Sequence, residues 1–557
     1  MDASHEEQFQ ALLGDVETYE EELDEQFPDI GLAWEADKVE RWRAFADRLD
    51  AIDRAALPER CRADYDVLDR ELTHRITRYE HDIHLMPVNH EGGPHSSYVR
   101  YPSRHSFEDL DDYERYLHRL AHAAEYFDEA RELLEEGLKR GFTPPRSVLD
   151  GHDEMIESYL VADPTESDLY EPFESVPETI GDEDRQRLRN RGAEAITDAV
   201  LPALKRFRAY LLDEYIPKTR ESHAYADLPG GEAYYEHLVR YYTTLDVTPE
   251  DVHQTGLEEV ERIREEMLAV IDDADFEGSF DEFVEFLRTD SRFYADTPEE
   301  LLQEAKSIAK TVDGRLPSLF TLEAMPTRPY GVEPVPDDLA PSYTSGRYVS
   351  NSTDTDAGTF WVNTYDLESR PLYGLPALFL HEAVPGHHHQ IAHTTELDDV
   401  SEFRQENMVT AYIEGWALYA ERLGLAMDAF ETPYEQFGRL SNEMWRACRL
   451  VVDTGIHALG WTPEEARAFM AENTALSMHN VRTEVDRYVA WPGQSLAYKT
   501  GEIEIRDLRA EAEAELGAAF DVRAFHETLL GSGPVLLPML AENVREWIDS
   551  VENDDEN

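Results

Sequence analysis

Helical periodicity constrains this chain more than any other feature it carries. The stretches 107–141, 184–216, 248–272 and 298–312 repeat apolar residues at three-to-four spacing with carboxylates on the other face, the pattern of amphipathic helices. Thr248-Pro249-Glu250, Thr297-Pro298-Glu299 and Thr462-Pro463-Glu464 each set a capping hydroxyl before a helix-opening proline. Strand signals are few. The clearest is AGTFWVNT at 357–364, preceded by a polar, turn-rich stretch from Pro326 to Asp356. A second apolar-aromatic region, 86–101, carries Pro, Asn and Gly and reads as ordered loop. The expectation is a mainly α protein with a small β-sheet. The turn signal LPGGEA at 228–233 suggests an N-terminal helical lobe at 1–225 and a C-terminal lobe at 226–545, with an acidic tail at 546–557.

Charge limits the partners. The 557 residues carry 119 acidic side chains against 51 basic ones, a formal net charge of −68, and only seven of the bases are lysine. So negative a surface repels nucleic-acid phosphates and anionic membranes, so neither is expected as a partner. The acid is dispersed along the chain, where salt would relieve its self-repulsion; adaptation to a high-salt, halophilic cytoplasm is the expectation. Two cysteines, Cys61 and Cys448, exclude a disulfide framework and are too few for a thiolate zinc site. The N-terminal MDASHEEQFQ lacks the pattern of a secretory signal, and no apolar run reaches the ~18–20 residues of a membrane span, so a cytoplasmic protein is expected.

The chemistry concentrates at 371–393, PLYGLPALFLHEAVPGHHHQIAH. Zinc hydrolases of the HExxH type hold two histidines one helical turn apart, with the glutamate between them as general base. Here His381 and His387 are six residues apart, which on an ideal helix would turn the second by about 240° from the first. The two extra residues are Pro385 and Gly386. If they bulge out of the helix, the HExxH spacing returns. His388 competes with His387, although seven residues of straight helix separate it from His381 by about 10 Å. His389 and His393 are expected to be solvated or to lie behind the ligands. Glu414, in the apolar segment AYIEGWALYAERLG, is the expected third ligand, with Glu421 as its alternative. Gly415 and Ala417 would let another helix approach closely. Two histidines and one glutamate leave a position open for water on Zn(2+).

Further groups could assist. Asp453 and His457 share a helix face, so His457 is a candidate oxyanion donor, with a purely structural Asp-His pair as the alternative. The turn Trp491-Pro492-Gly493 would gather Gln494, Tyr498 and Lys499. Tyr498 is a second oxyanion donor, and Lys499 or Arg487 could hold a peptide carboxylate. The strand AGTFWVNT, which includes Asn363, could pair at its edge with an extended peptide.

Taken in order, GTFWVNT, HEAVPGHHHQ, EGWALYAERLG, RLVVDTGIHALGWT and EVDRYVAWPGQSLAYKTG resemble domain-of-unknown-function family 885. That family is distantly similar to helical zinc peptidases such as angiotensin-converting enzyme, neurolysin and the thermostable carboxypeptidases. The resemblance implies a two-lobed, zincin-like helical metallopeptidase with a deep channel. It assigns His381 and His387 as zinc ligands, Glu382 as base and Glu414 as third ligand. The expected activity is zinc-dependent hydrolysis of short peptides, as a carboxypeptidase or oligopeptidase. The alternatives are hydrolysis of a non-peptide amide or ester, and a non-catalytic, metal-stabilised peptide-binding protein.

Overall fold

Each threonine–proline start opens a helix in the computed structural model, which describes residues 4–25, 29–350, 357–407 and 409–555. Thr248 caps Pro249–Asp273, Thr297 caps Pro298–Asp313 and Thr462 caps Pro463–Asn473, each hydroxyl oxygen accepting the N–H three residues on. Thr432, not singled out in the sequence, opens Pro433–His457 in the same way. A cap of this kind stabilises its helix by about 1 kcal/mol. The periodic stretch 107–141 forms two helices, Leu110–Ala121 and Ala123–Arg140. The stretch 184–216 runs on from Asp182 through widened turns at Ile196–Val200 and Leu211–Tyr215.

The chain divides into two compact units, Met1–Leu57 with Leu68–Tyr235, and Pro58–Val67 with Glu236–Asn557. The first is helical around an aromatic core that includes Tyr98, Tyr113, Tyr116 and Phe173. The three tyrosine hydroxyls donate to the carbonyls of Arg119, Pro172 and Leu169, so their burial leaves no polar atom stranded. Within 86–101 a short helix, Pro94–Val99, follows a turn closed between Asn89 and Gly92.

The second unit joins helices to a three-stranded sheet. Strands β1 (Tyr330–Pro334), β2 (Gly346–Val349) and β3 (Gly358–Val362) lie in the order β1-β3-β2. β1 runs parallel to β3 and β2 antiparallel to it. The stretch Pro326–Asp356 thus contains two strands too short to announce themselves by alternation; its last six residues, 351–356, lie outside the described ones. Phe360 of β3 packs on Phe379 of the helix Leu375–Glu382, ring centroids 5.8 Å apart, which sets the sheet beside His381.

Three expectations are corrected here. β3 is the central strand, paired on both sides, so it has no edge to offer a peptide. Asn363 is fully buried: its amide donates to the carbonyls of Ala340, Tyr343 and Thr344 and accepts from the Tyr365 N–H. It therefore pins a loop and has no donor left for substrate. The segment 546–555 is no tail but the end of the closing helix Leu537–Asp555, and the last two residues lie outside the described ones. Among the described residues no helix is long and apolar enough to cross a membrane.

Candidate metal centre

The metal segment breaks where the sequence placed its extra residues. One helix ends at Glu382 and the next, His387–Thr394, begins after Ala383, Val384, Pro385 and Gly386. The step is a four-residue interruption, where the sequence had suggested a two-residue bulge. Gly386 is required there: a Cβ on it would stand 1.9 Å from the His381 carbonyl oxygen. The Trp416 indole N–H donates to the Pro385 carbonyl at 2.8 Å and fastens the break to the helix Thr410–Leu423. As a result the His381 and His387 rings meet edge to face, centroids 4.8 Å apart.

Glu414 arrives on that same helix. Its Oε2 lies 3.5 Å from Nε2 of His381 and 3.5 Å from Nε2 of His387. All three donor atoms fall within 4.8 Å of one another. Oε2 is buried without a hydrogen-bond partner, an arrangement that costs free energy unless something completes it. The spacing says what would. Ligand atoms about 2.1 Å from a tetrahedral zinc stand about 3.4 Å apart, close to the separation found here and long for a strong hydrogen bond. Two imidazoles and a carboxylate therefore fit a divalent ion such as zinc.

Neighbouring groups also shift the titration of Glu414 and His381. Burial alone would raise the Glu414 pKa, but His387 and His381 hold it well below the ordinary carboxylate range. Burial alone would lower that of His381, yet carboxylates at both of its nitrogens, Glu414 and Glu421, raise it to about 9. Glu421 is thus not a rival ligand. Its Oε1 accepts from Nδ1 of His381 at 2.9 Å, the outer carboxylate that fixes a ligating imidazole's tautomer and orientation. His388, the other rival, is also accounted for. Its Nε2–H donates to the Arg328 carbonyl at 3.2 Å and its Nδ1 accepts from the Tyr348 hydroxyl at 3.3 Å. His389 and His393 are buried, not solvated; His389 donates to the Ala324 carbonyl. Glu382 accepts the Tyr348 backbone N–H at 2.8 Å, so β2 orients the expected base.

The assisting groups fare unevenly. Tyr498 lies on the helix Ala497–Leu516, its ring 4.5 Å from the Arg449 guanidinium, and its hydroxyl makes no hydrogen bond among the described residues. Arg487 donates to Gln494 at 2.8 Å and keeps part of its guanidinium exposed. His457 and Lys499 are corrected to structural roles. His457 is fully buried and donates to the Tyr488 carbonyl at 2.9 Å, while Asp453 accepts from the Gly493 N–H and the Ser495 hydroxyl. Together they tie the Trp491-Pro492-Gly493 turn to the helix Pro433–His457. Lys499 is fully buried among Glu502, Glu443 and Glu259 at 2.7, 2.9 and 3.0 Å, out of reach of a peptide carboxylate.

Two further residues border the cluster without a local signal in the sequence: Tyr348, on β2 within a stretch expected to be turn-rich, and Arg446. The Arg446 guanidinium lies 3.9 Å from Glu421, with its Nε buried and unpartnered. Arg446 is one of several charged residues buried on the helix Pro433–His457, so nothing local set it apart in the sequence.

A family model described as a bacterial protein of unknown function (DUF885) matches residues 8–544. No curated protein matches the chain. Among solved structures, a candidate lipoprotein of Colwellia psychrerythraea is 26% identical with a TM-score of 0.84, covering 95% of this chain and 93% of its own. A candidate lipoprotein of unknown function from Shewanella oneidensis is 19% identical with a TM-score of 0.75, covering 97% and 99%. At that lower identity the likeness speaks for the fold alone.

Proposed function

The chain belongs to the DUF885 family over residues 8–544, and from that premise we propose that it is a zincin-like hydrolase that cleaves peptide bonds in short peptides with a zinc ion. The observation that carries the reading is the convergence of His381, His387 and Glu414 on one point, with Glu382 next in sequence to the first ligand. A purely structural metal has no use for an oriented carboxylate beside it, which favours catalysis over a scaffold.

When bound, zinc supplies Lewis acidity, lowering the pKa of a coordinated water and polarising the scissile carbonyl. The chain's own groups do the rest. Glu382 takes the proton from the attacking water and returns it to the leaving amine. The Tyr348 N–H holds one of its oxygens, leaving the other for that proton. The Tyr498 hydroxyl, uncommitted among the described residues, donates to the developing oxyanion. Arg487, which donates to Gln494 and lies 3.9 Å from Glu484, is the candidate for receiving a terminal carboxylate. Likeness to the helical zinc peptidases belongs to this same proposal.

Metal analysis with digestion of a peptide library tests it. The protein should carry one zinc and release single residues, pairs or internal fragments, and those products define the mode. Glu382→Gln should keep the metal and lose about 10²–10⁴-fold in turnover. Full activity in a metal-loaded Glu382→Gln protein would show the reading to be wrong.

A further inference from the structure

A side chain that orients a metal ligand must itself be held in place. Glu421 does the first for His381: its Oε1 accepts from Nδ1 at 2.9 Å. Its Oε2, however, is buried without a hydrogen-bond partner, and the side chain is only 2% exposed. A buried carboxylate half satisfied in this way costs free energy unless a neighbouring charge offsets it. The neighbour is Arg446, whose Nη2 lies 3.9 Å from Oε1. Arg446 is half satisfied too. Its Nη1 donates to the Asn442 carbonyl at 3.3 Å, while its Nε is buried without a partner. Among the described residues Glu421 is the one carboxylate within ion-pair reach of this guanidinium.

The rest of the surroundings fix Arg446 without neutralising it. It sits on the helix Pro433–His457 with its guanidinium 4.5 Å from the centre of the Trp445 ring. The Trp445 indole N–H donates to the Tyr488 hydroxyl at 3.1 Å, which anchors that ring. Arg449 lies 4.4 Å from the same ring, but it has its own carboxylate, Glu484, at 3.1 Å. The charge of Arg446 is therefore left for Glu421.

We propose that Arg446 is a positioning residue for the metal, acting on His381 through Glu421. The proposal rests on the reading of His381, His387 and Glu414 as a metal site. Attraction to the guanidinium holds the carboxylate, and the carboxylate holds the Nδ1–H. Nε2 is thereby kept turned towards Glu414. Arginine suits this task because its N–H groups form a rigid fork; a lysine would bring the same charge without the direction.

Competition with a chelator for zinc tests the proposal in the full-length protein in molar KCl. Arg446→Met keeps the aliphatic stem, removes the charge and the donors, and should weaken zinc binding about threefold to tenfold. That is less than the ~10–100-fold expected for loss of Glu421 itself, because the effect passes through one more side chain. Arg446→Lys should recover part of the loss. In a Glu421→Ala background Arg446→Met should cost nothing further, since the route is already cut. The visible spectrum of the cobalt-loaded protein should follow suit, shifting with Arg446→Met in the parent and not in Glu421→Ala. Unchanged affinity or spectrum in Arg446→Met, no recovery in Arg446→Lys, or an equal cost in both backgrounds would overturn the relay. The last is what a merely structural arginine would give. If Arg446→Met does not fold, Arg446→Lys carried through both backgrounds decides in the same way. A parent that binds neither zinc nor cobalt would instead bring down the metal reading, and the relay with it.

Discussion

At the scale of single residues, the outer carboxylate should matter almost as much as the ligands. Glu421 holds His381 through Nδ1 while Nε2 faces the cluster. Glu421→Ala should leave the fold intact and weaken zinc binding by about 10–100-fold, measured by competition with a chelator. Wild-type affinity in that variant would sink the orienting role.

Two buried histidines, one in each unit, set an acid limit on stability. His95 and His526 are buried and kept neutral, each with its pKa pushed down to about 3, chiefly by desolvation. In the unfolded chain each would titrate near 6.5. Between pH 6.5 and 3 the unfolded state therefore takes up protons that the folded state refuses. The stability these rings contribute is complete above pH 6.5 and falls as pH drops, by about 1.4 kcal/mol per pH unit per histidine. His526→Asn should flatten the dependence of the urea midpoint on pH by about one proton. An unchanged slope would count against this account.

At the scale of elements, the helices and β3, which lies within the expected 357–364, were legible, and β1 and β2 were not. A capping hydroxyl, a proline and an apolar stripe are local signals, so Thr248, Thr297 and Thr462 marked their helices correctly. β1 and β2 have five and four residues, too few for a period of two to stand out, and their pairing with β3 is non-local. The helix contact at Gly415 was readable because only a missing side chain permits it. A Cβ there would stand 2.5 Å from the Gly501 backbone, and one on Gly501 would stand 2.0 Å from the Ala411 carbonyl oxygen. Gly501→Ala should therefore destabilise by about 1–3 kcal/mol or more and loosen zinc binding, because the helix that must shift carries Glu414. Gly531→Ala, where nothing lies within 4 Å, is the control and should be neutral or slightly stabilising in thermal denaturation. Equal effects at the two positions would refute the close-packing argument.

At the scale of the whole molecule, the cluster His381, His387 and Glu414 could be picked out because polar groups in apolar segments need a reason. The roles of Lys499 and His457 could not. Glu502, three residues on, is a local partner of Lys499, but Glu443 and Tyr488, which bury Lys499 and His457, are 56 and 31 residues away in sequence. Charge is the other property of the whole chain. With 119 acidic residues against 51 basic ones, self-repulsion should weaken the fold in dilute buffer and molar KCl should restore it. The thermal midpoint is expected to rise steadily with KCl; a midpoint indifferent to salt would remove the case for a salt-adapted fold.

One place carries its own counterion. The Lys499 ammonium, with Arg262, Arg439 and Arg506 around the same carboxylates, neutralises the crossing of three long helices from within. Desalting would strip mobile ions from the exterior long before it reached that knot. Amide hydrogens near Glu443 and Glu502 should thus be the last to exchange as fresh water replaces brine, the innermost ballast of a hull otherwise trimmed by the sea around it.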